Sequence, residues 1–352
     1  MTRERLMHRV MTTVIMLIVG VSFDVSAREP EPTPPQTTSE VRLYGLADLD
    51  ITHSKNSEGV SGITSGIWNG SRFGLKGHGD LGAGLKPLFR LEGGFGTEDG
   101  KIKLMQGGRL FGRQAYLGLE SGLGTVTFGR QYPVSDAVAG IVDIALPGVL
   151  SAYKSQFYWQ IDRLENALLY SSPIMGGLQA RLGYAFGKNG GAAGSSTVTT
   201  GMLYNTDLLT AGLSLESWKT SAFSTSSAVY NFWNLAASYD LGVVALVAGC
   251  SSDDVNQDLS SNSAVKSKTY ALGAKLPAGT AGKIVLLLQV TKPESGAPLD
   301  IASLRYTHTL SKRAALYSQI NVANHAAADA YGRQSEFTFG MHCRFDAFLF
   351  GN

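Results

Sequence analysis

Beyond residue 40, apolar side chains recur at every second position in segments of about ten residues, a spacing typical of β-strands with one apolar and one polar face. No apolar run approaches the roughly 18 residues of a membrane-spanning helix. In the first segment, Val41, Leu43, Gly45, Ala47, Leu49 and Ile51 alternate with Arg42, Tyr44, Leu46, Asp48, Asp50 and Thr52. The apolar face points outward in a membrane barrel and inward in a soluble sandwich, so periodicity alone leaves both folds open.

The connections between these segments fall into two length classes. Short turns at 79–84, 121–124, 172–177, 205–208, 239–242, 277–282 and 310–313 alternate with long polar connections at 53–70, 133–165, 188–198, 218–228, 251–266, 291–298 and 324–333. We count sixteen strands, one more than these fourteen connections alone separate, and single-chain bacterial barrels have an even number. The sequence therefore predicts an all-β fold: a sixteen-stranded antiparallel transmembrane β-barrel with short periplasmic turns and long extracellular loops.

Composition excludes several other classes of protein. Charged residues make up 16% of the chain, Gly accounts for 42 of 352 residues, and the net charge is +2. An average soluble domain has about 25% charged residues, and a near-neutral chain has no general field for nucleic acid. The two cysteines, Cys250 and Cys343, provide neither a disulfide framework nor a four-ligand zinc set, and we expect both to remain thiols.

The N-terminus has the pattern of an export signal. Arg3, Arg5 and Arg9 precede an apolar run over 10–23, and the small residues at 25–27 fit a signal peptidase site. The alternative, a membrane anchor, needs about 20 apolar residues. We therefore divide the chain into a signal peptide (1–27), a Pro-rich leader (28–40), a barrel (41–345) and a tail (346–352); loss of the signal leaves a net charge of +1.

Five segments carry a family resemblance. It is strong in GSRFGLKGHGDLGAGLKPLFRLEGGFG at 70–96 and GGRLFGRQAYLGLESGLGTVTFGRQY at 107–132, and weaker in RLENALLYSSP at 163–173, GLQARLGYAFG at 177–187 and the closing FGMHCRF at 339–345. They resemble the Gram-negative general porins of the betaproteobacterial type. The resemblance implies a usually trimeric outer-membrane channel for small hydrophilic solutes and ions, with the third extracellular loop folded into the lumen. It also implies that the chain is not an enzyme and needs no cofactor. Family members commonly end at the aromatic residue matching Phe345, so we expect the tail to hang in the periplasm; the alternative is that it interferes with insertion into the membrane.

The same resemblance assigns a pore constriction. Arg72, Arg113 and Arg163 match the family's basic ladder, with Lys76 as a further candidate on the same wall. Guanidiniums stay ionised and lower the barrier for anions, so a mild anion preference is expected. The alternative is that each is an ordinary lumen or interface arginine. His78 and Arg90 are weaker candidates for the same wall.

Strand parity does not orient Arg113. In an alternating strand, Arg113 would lie on the same face as Ala115, Leu117 and Leu119, and that face would contact lipid. We place Arg113 inward on the resemblance alone. Arg130 shares the parity of apolar neighbours and is a candidate for a subunit contact.

The connection at 133–165 is too long for an ordinary hairpin, and loops of this length are usually functional. It carries Asp136, Asp143, Asp162 and Glu165. Carboxylates opposite the arginines would create a transverse field across the pore, and Asp136 and Asp143 are the constriction candidates. The alternative is a solvated lid with scattered charges.

Patterns typical of enzymes lack their structural context. Gly77, Gly79 and Gly82 form a literal GxGxxG, but Gly84 and Pro87 prevent the helix that a dinucleotide site needs, so we predict a turn. The run at 254–258 has calcium-loop spacing without the required Gly and Glu. Two rival functions remain: a lipase-like barrel enzyme and a secreted β-rich adhesin.

Overall fold

The computed structural model describes residues 39–55, 60–102, 108–143, 163–186, 196–220, 228–257, 266–331 and 334–351. The predicted signal peptide and nearly all of the leader lie outside the described residues, as does Asp162. The predictions about those segments therefore remain predictions.

Strands dominate the described part of the chain. They are β1 (Glu40–Lys55), β2 (Val60–Ser65), β3 (Arg72–His78), β4 (Lys86–Gly94), β5 (Gln114–Ser121), β6 (Gly124–Gln131), β7 (Leu164–Ser171), β8 (Leu178–Ala185), β9 (Ser196–Asn205), β10 (Leu209–Thr220), β11 (Ala228–Asp240), β12 (Ala245–Gln257), β13 (Lys266–Ala278), β14 (Gly282–Pro293), β15 (Leu299–Thr309), β16 (Ala314–Ala323) and β17 (Ser335–Gly351). Two helices, α1 (Val134–Asp143) and α2 (His325–Tyr331), follow β6 and β16. No helix in the described ranges is long and apolar enough to cross a membrane.

The strands form one closed antiparallel ring. From β3 onward each strand pairs with the next along the chain, and β17 pairs with β1 to close the sheet. Both β2 and β3 pair with β1, at Leu49↔Ser65 and Leu46↔Arg72, so together they make one interrupted barrel strand. The seventeen strands thus form sixteen positions around the barrel, which confirms the predicted fold class.

The two faces of the sheet settle the alternative that periodicity left open. Large apolar side chains face out: Ile51 is 60% exposed, Leu117 69% and Leu288 59%. Their polar neighbours face in, and Asp50 and Gln289 are at most 2% exposed. A soluble sandwich has the opposite arrangement, so this sheet is built to contact lipid on its outside.

Several predicted connections differ from the structure. The connection predicted over 53–70 contains β2, and β10 and β12 run on to Thr220 and Gln257, because strands continue past the membrane-sized segment that the alternation marks. The connection between β4 and β5, over 95–113, was not among the predicted long ones. Gly79 and Gly82 of the GxGxxG segment lie in the turn between β3 and β4, as predicted, whereas Gly77 belongs to β3. Gly82 has a φ of 80° that other residues rarely adopt.

The predicted free tail is wrong. β17 continues through Gly351 and pairs with the start of β1, at Tyr44↔Asp346 and Glu40↔Gly351. Asp346 also forms an ion pair with Arg313 at 3.0 Å. The tail continues β17 because β1 already begins at Glu40. On the side facing β17, the backbone groups of the first β1 residues are available for pairing, and the tail pairs with them.

The two cysteines lie on separate strands. Cys250 is in β12 and Cys343 in β17, and they form no disulfide.

Candidate pore constriction

Two arginines meet at one tyrosine inside the barrel. Tyr132 directly follows β6, and its hydroxyl accepts hydrogen bonds from Arg113 Nη2 at 2.8 Å and from Arg163 Nη2 at 2.7 Å. The Arg163 guanidinium also lies 4.6 Å from the Tyr132 ring centroid, a cation–π distance. Tyr132 therefore holds together two arginines that are 50 residues apart in the chain.

Arg72 joins this group through Gly70. Arg72 Nη1 donates to the Gly70 carbonyl at 3.0 Å, and a Cβ at Gly70 would lie 3.0 Å from Arg113 Nη1. The two guanidiniums thus flank one glycine. We call Arg72, Arg113 and Arg163 the arginine cluster.

Glu92 on β4 is the carboxylate partner of the cluster. Its Oε1 forms an ion pair with Arg113 Nε at 2.7 Å, and its Oε2 accepts from the Tyr44 hydroxyl at 2.8 Å. The side chains of Arg113 and Glu92 are only 13% and 5% exposed. Glu92 thus links Arg113 to Tyr44 on the inner wall.

The side chain of Arg113 does not lie on the outward face that strand alternation suggested for its position. β5 begins at Gln114, so Arg113 precedes the strand and its side chain is not bound by the alternation of Ala115, Leu117 and Leu119. Leu117 faces outward while Arg113 turns to Glu92 on the inner face. Glu92 was not among the predicted site residues. It follows Arg90 by two residues and so lies on the same inward face of the segment that carries the family resemblance, and this alternation could have indicated it.

The basic surface continues along β3 and β4 toward the short-turn end. Lys76 and Arg90 are paired across these strands, and both lie over the Tyr44 ring, at 5.4 Å and 5.8 Å from its centroid. His78 is the last residue of β3 and is exposed. Tyr44 therefore connects Lys76 to the arginine cluster through Glu92.

Helix α1 lies inside the barrel against β9–β12. Its first amide, Val134 N, donates to Thr199 Oγ1 at 2.9 Å, and Ser135 N donates to Glu216 Oε1 at 3.2 Å. The Asn234 side chain donates to the Ser135 carbonyl at 3.2 Å. A carboxylate at a helix N-terminus favours the helix dipole, so side chains of the inner wall fix where α1 begins.

The apolar side of α1 explains why it folds inward. Val138, Ile141 and Val142 are buried against Ala236, Val247, Ala271, Val285 and Leu287 of the inner wall. The spacings of three and four residues from Val138 to Ile141 and Val142 match the helical repeat. This spacing was present in the sequence and could have predicted a helix.

The predicted loop carboxylates are in different places. Asp136 is in the first turn of α1 and half-buried, and Asp143 is the last residue of α1. Glu165 on β7 pairs with Arg130 at 2.7 Å and with Arg109 at 3.0 Å. Arg130, the candidate for a subunit contact, is thus an ion-pair partner within its own chain.

A second segment enters the lumen at the interruption between β2 and β3. Gly66 N and Ser71 Oγ both donate to the Asp48 carbonyl, which closes the segment Gly66–Ser71 into a loop. At its centre the Trp68 ring lies 4.7 Å from the Arg305 guanidinium and 5.1 Å from the Tyr317 ring centroid. Alternation alone gave no sign of this segment.

A closed sheet with an apolar exterior, a polar interior and an inward-folded helix defines a membrane channel. Comparison with known proteins identifies its family: residues 18–326 match the family model described as Gram-negative porin. The chain belongs to the Gram-negative porins and is an outer-membrane channel for passive diffusion.

Individual relatives agree with this assignment. An outer membrane porin protein of Bordetella pertussis is 28% identical, with 88% of this chain and 95% of the relative covered. Outer membrane porin protein 32 of Delftia acidovorans is 28% identical, over 85% of this chain and 88% of the relative.

Solved structures give the same fold. The anion-selective porin from Comamonas acidovorans superposes with a TM-score of 0.72 at 26% identity and covers 87% of this chain and all of its own. The trimer form of OmpT from Vibrio cholerae superposes with a TM-score of 0.66 at 14% identity and covers 87% of this chain and 99% of its own.

Proposed function

We propose that the constriction of this channel is formed by Arg72, Arg113, Arg163 and Lys76 on one wall and by α1, with Asp136 and Asp143, on the other. The observation that carries the proposal is the convergence of two arginines on the Tyr132 hydroxyl with Arg72 beside them. α1 lies in the long connection between β6 and β7, which is the third long connection of the barrel in chain order.

Anions are the favoured solutes in this proposal. Guanidiniums remain charged at any workable pH, and three of them lie close together here. Fixed charges act strongly on ions within the screening length of about 8 Å at physiological salt. The structurally similar porin from Comamonas acidovorans is anion-selective, which supports a mild anion preference among small hydrophilic solutes.

The reversal potential in a planar bilayer under a salt gradient tests this preference. The wild-type channel should favour anions, and the variant with Arg72→Gln, Arg113→Gln and Arg163→Gln should shift the zero-current potential toward cations and admit larger neutral sugars. The matched variant with three Arg→Lys changes keeps the charge and should keep the sign of the potential. An unchanged potential and conductance in the Gln variant would refute the proposed constriction.

We also propose that three copies assemble in the membrane. The trimeric OmpT shares the fold, and the outer faces of β5 and β6 carry exposed Leu117 and Phe128, which suit a contact between subunits. A band of trimer mass on a denaturing gel that collapses to monomer only after boiling is the expected result. The proposal contains no catalysed reaction and no cofactor, and lipid-ester hydrolysis by the purified protein would contradict it.

A further inference from the structure

A second group of cations lies on another part of the inner wall. Lys275 in β13 and Arg305 in β15 are both directly paired with Val285 in β14, which faces inward and is 1% exposed. Lys283 precedes Val285 by two residues and therefore shares its face. The register thus places three cationic side chains on adjacent strands of one face.

The two lysines carry uncompensated charge. Among the described residues neither Lys275 nor Lys283 forms an ion pair, and each lies within electrostatic reach of Arg305. Asp48 interacts electrostatically with Arg305, and it also accepts from Asn69 N at 2.6 Å and from the Tyr317 hydroxyl at 2.9 Å.

This group lies directly below α1 on the path through the barrel. Val285 belongs to the apolar cluster that α1 covers, and Lys283 is two residues nearer the turn, or about 7 Å at the rise of a β-strand. Lys283 is exposed and Lys275 half-buried, so both ammonium groups reach the lumen. A solute that passes α1 toward the short-turn end must pass these cations.

We propose that Lys275 and Lys283, with the buried Arg305 beside them, form a second anion site, selective for multivalent oxyanions. The two ammonium groups repel each other and Arg305, and an anion with several charged oxygens relieves this repulsion at both of them. A monovalent anion does so at one donor only. The site requires an open channel, but it does not depend on the arginine cluster.

The test is block of chloride current by inorganic pyrophosphate, with nitrate as the monovalent comparison. Pyrophosphate should reduce the wild-type current in a saturable manner, and nitrate should not. In the Lys275→Gln/Lys283→Gln variant the half-blocking concentration should rise by at least about tenfold, because two charge-assisted contacts are lost. The Lys275→Arg/Lys283→Arg variant should retain the block.

Matched controls separate this site from its surroundings. The Lys86→Gln/Lys312→Gln variant removes the same charge from the short-turn rim and should shift the block by less than about twofold, because exposed distant charges are screened. The arginine-cluster Gln variant should remain sensitive to pyrophosphate even if the constriction proposal fails. Lys283 is exposed, so the single Lys283→Gln variant leaves packing intact and should show a smaller rise in the same direction.

Two results would overturn the proposal. One is a conducting wild-type channel that pyrophosphate does not block. The other is an unchanged half-blocking concentration in the Lys275→Gln/Lys283→Gln variant. If the Gln variant of the arginine cluster then abolished the block, the block would be assigned to that cluster.

Discussion

The barrel carries two basic surfaces on its inner wall, and they are built differently. In the arginine cluster, Arg113 is bound by Glu92 and two guanidiniums share the Tyr132 hydroxyl. In the second anion site, the described residues give Lys275 and Lys283 no carboxylate partner. The first surface is fixed in place by its partners, whereas the second is free to bind ions from solution.

Positive charge in a pore can therefore serve two purposes. A buried ion pair holds a side chain at a defined position and adds little net field, because the partner cancels part of it. Uncompensated cations at the water surface attract anions but contribute little to stability. The two surfaces should therefore respond in opposite ways to mutation.

The largest expected effect is on stability, at Glu92. The Glu92→Gln change removes the carboxylate partner of a buried Arg113, and breaking a buried pair on one side typically costs about 3–5 kcal/mol. Thermal denaturation in detergent should show a clear fall in melting temperature. The matched change Lys283→Gln, in the second site, should leave the melting temperature unchanged; an equal fall in both would erase the distinction between the two surfaces.

The next effect tests whether the second site faces the lumen. On β14, Leu288 is 59% exposed on the outer face, and an arginine there should impair membrane assembly by about 2–4 kcal/mol. Lys283→Glu, on the inner face of the same strand, should assemble normally and change ion conduction instead. Equal assembly of the two variants, scored by the heat-resistant band on a gel, would contradict the assigned register.

From strand alternation, a charge at Gly74 is expected mainly to change conduction, and the structure changes that expectation. A Cβ at Gly74 would lie 2.6 Å from the Leu91 carbonyl oxygen and 2.8 Å from the Tyr44 hydroxyl. Any side chain at Gly74 should disturb the wall itself, so this position cannot serve as a neutral probe.

The smallest expected effect is at the tail, where β17 closes the barrel against β1. Deleting 346–352 removes the last pairs of this ladder and the exposed ion pair of Arg313 with Asp346, which by itself is worth at most about 1 kcal/mol. The truncated protein should still assemble, with a melting temperature lower by a few degrees. Asp346→Asn alone should have almost no effect, and accumulation of the truncated chain in the periplasm would contradict this prediction.

The fold was largely predictable because a membrane barrel imposes two regular patterns. Lipid outside and water inside force alternation, as with Asp50 and Ile51, and the sorting of short and long connections gives the strand count. The prediction for the tail was wrong because the tail pairs with the first residues of β1. The start of β1 at Glu40 cannot be read from the sequence of residues 346–352.

The site was less predictable because it depends on irregular positions. Arg113 and Arg163 each precede a strand by one residue, and Tyr132 follows one, so alternation does not govern these side chains. The family resemblance supplied the arginines but not Glu92 or Tyr132. The neighbours of Lys275 and Lys283 follow only from the register of three strands.

The interruption between β2 and β3 has a consequence for how such a pore can diversify. The loop Gly66–Ser71 is fastened at both ends to one carbonyl, that of Asp48, while the strands on either side keep their own pairing with β1. Substitutions or length changes between those fastening points alter what projects into the channel and leave the lipid-facing surface as it was. Trp68 therefore occupies a position where the width and chemistry of the passage can evolve separately from the barrel that contains it.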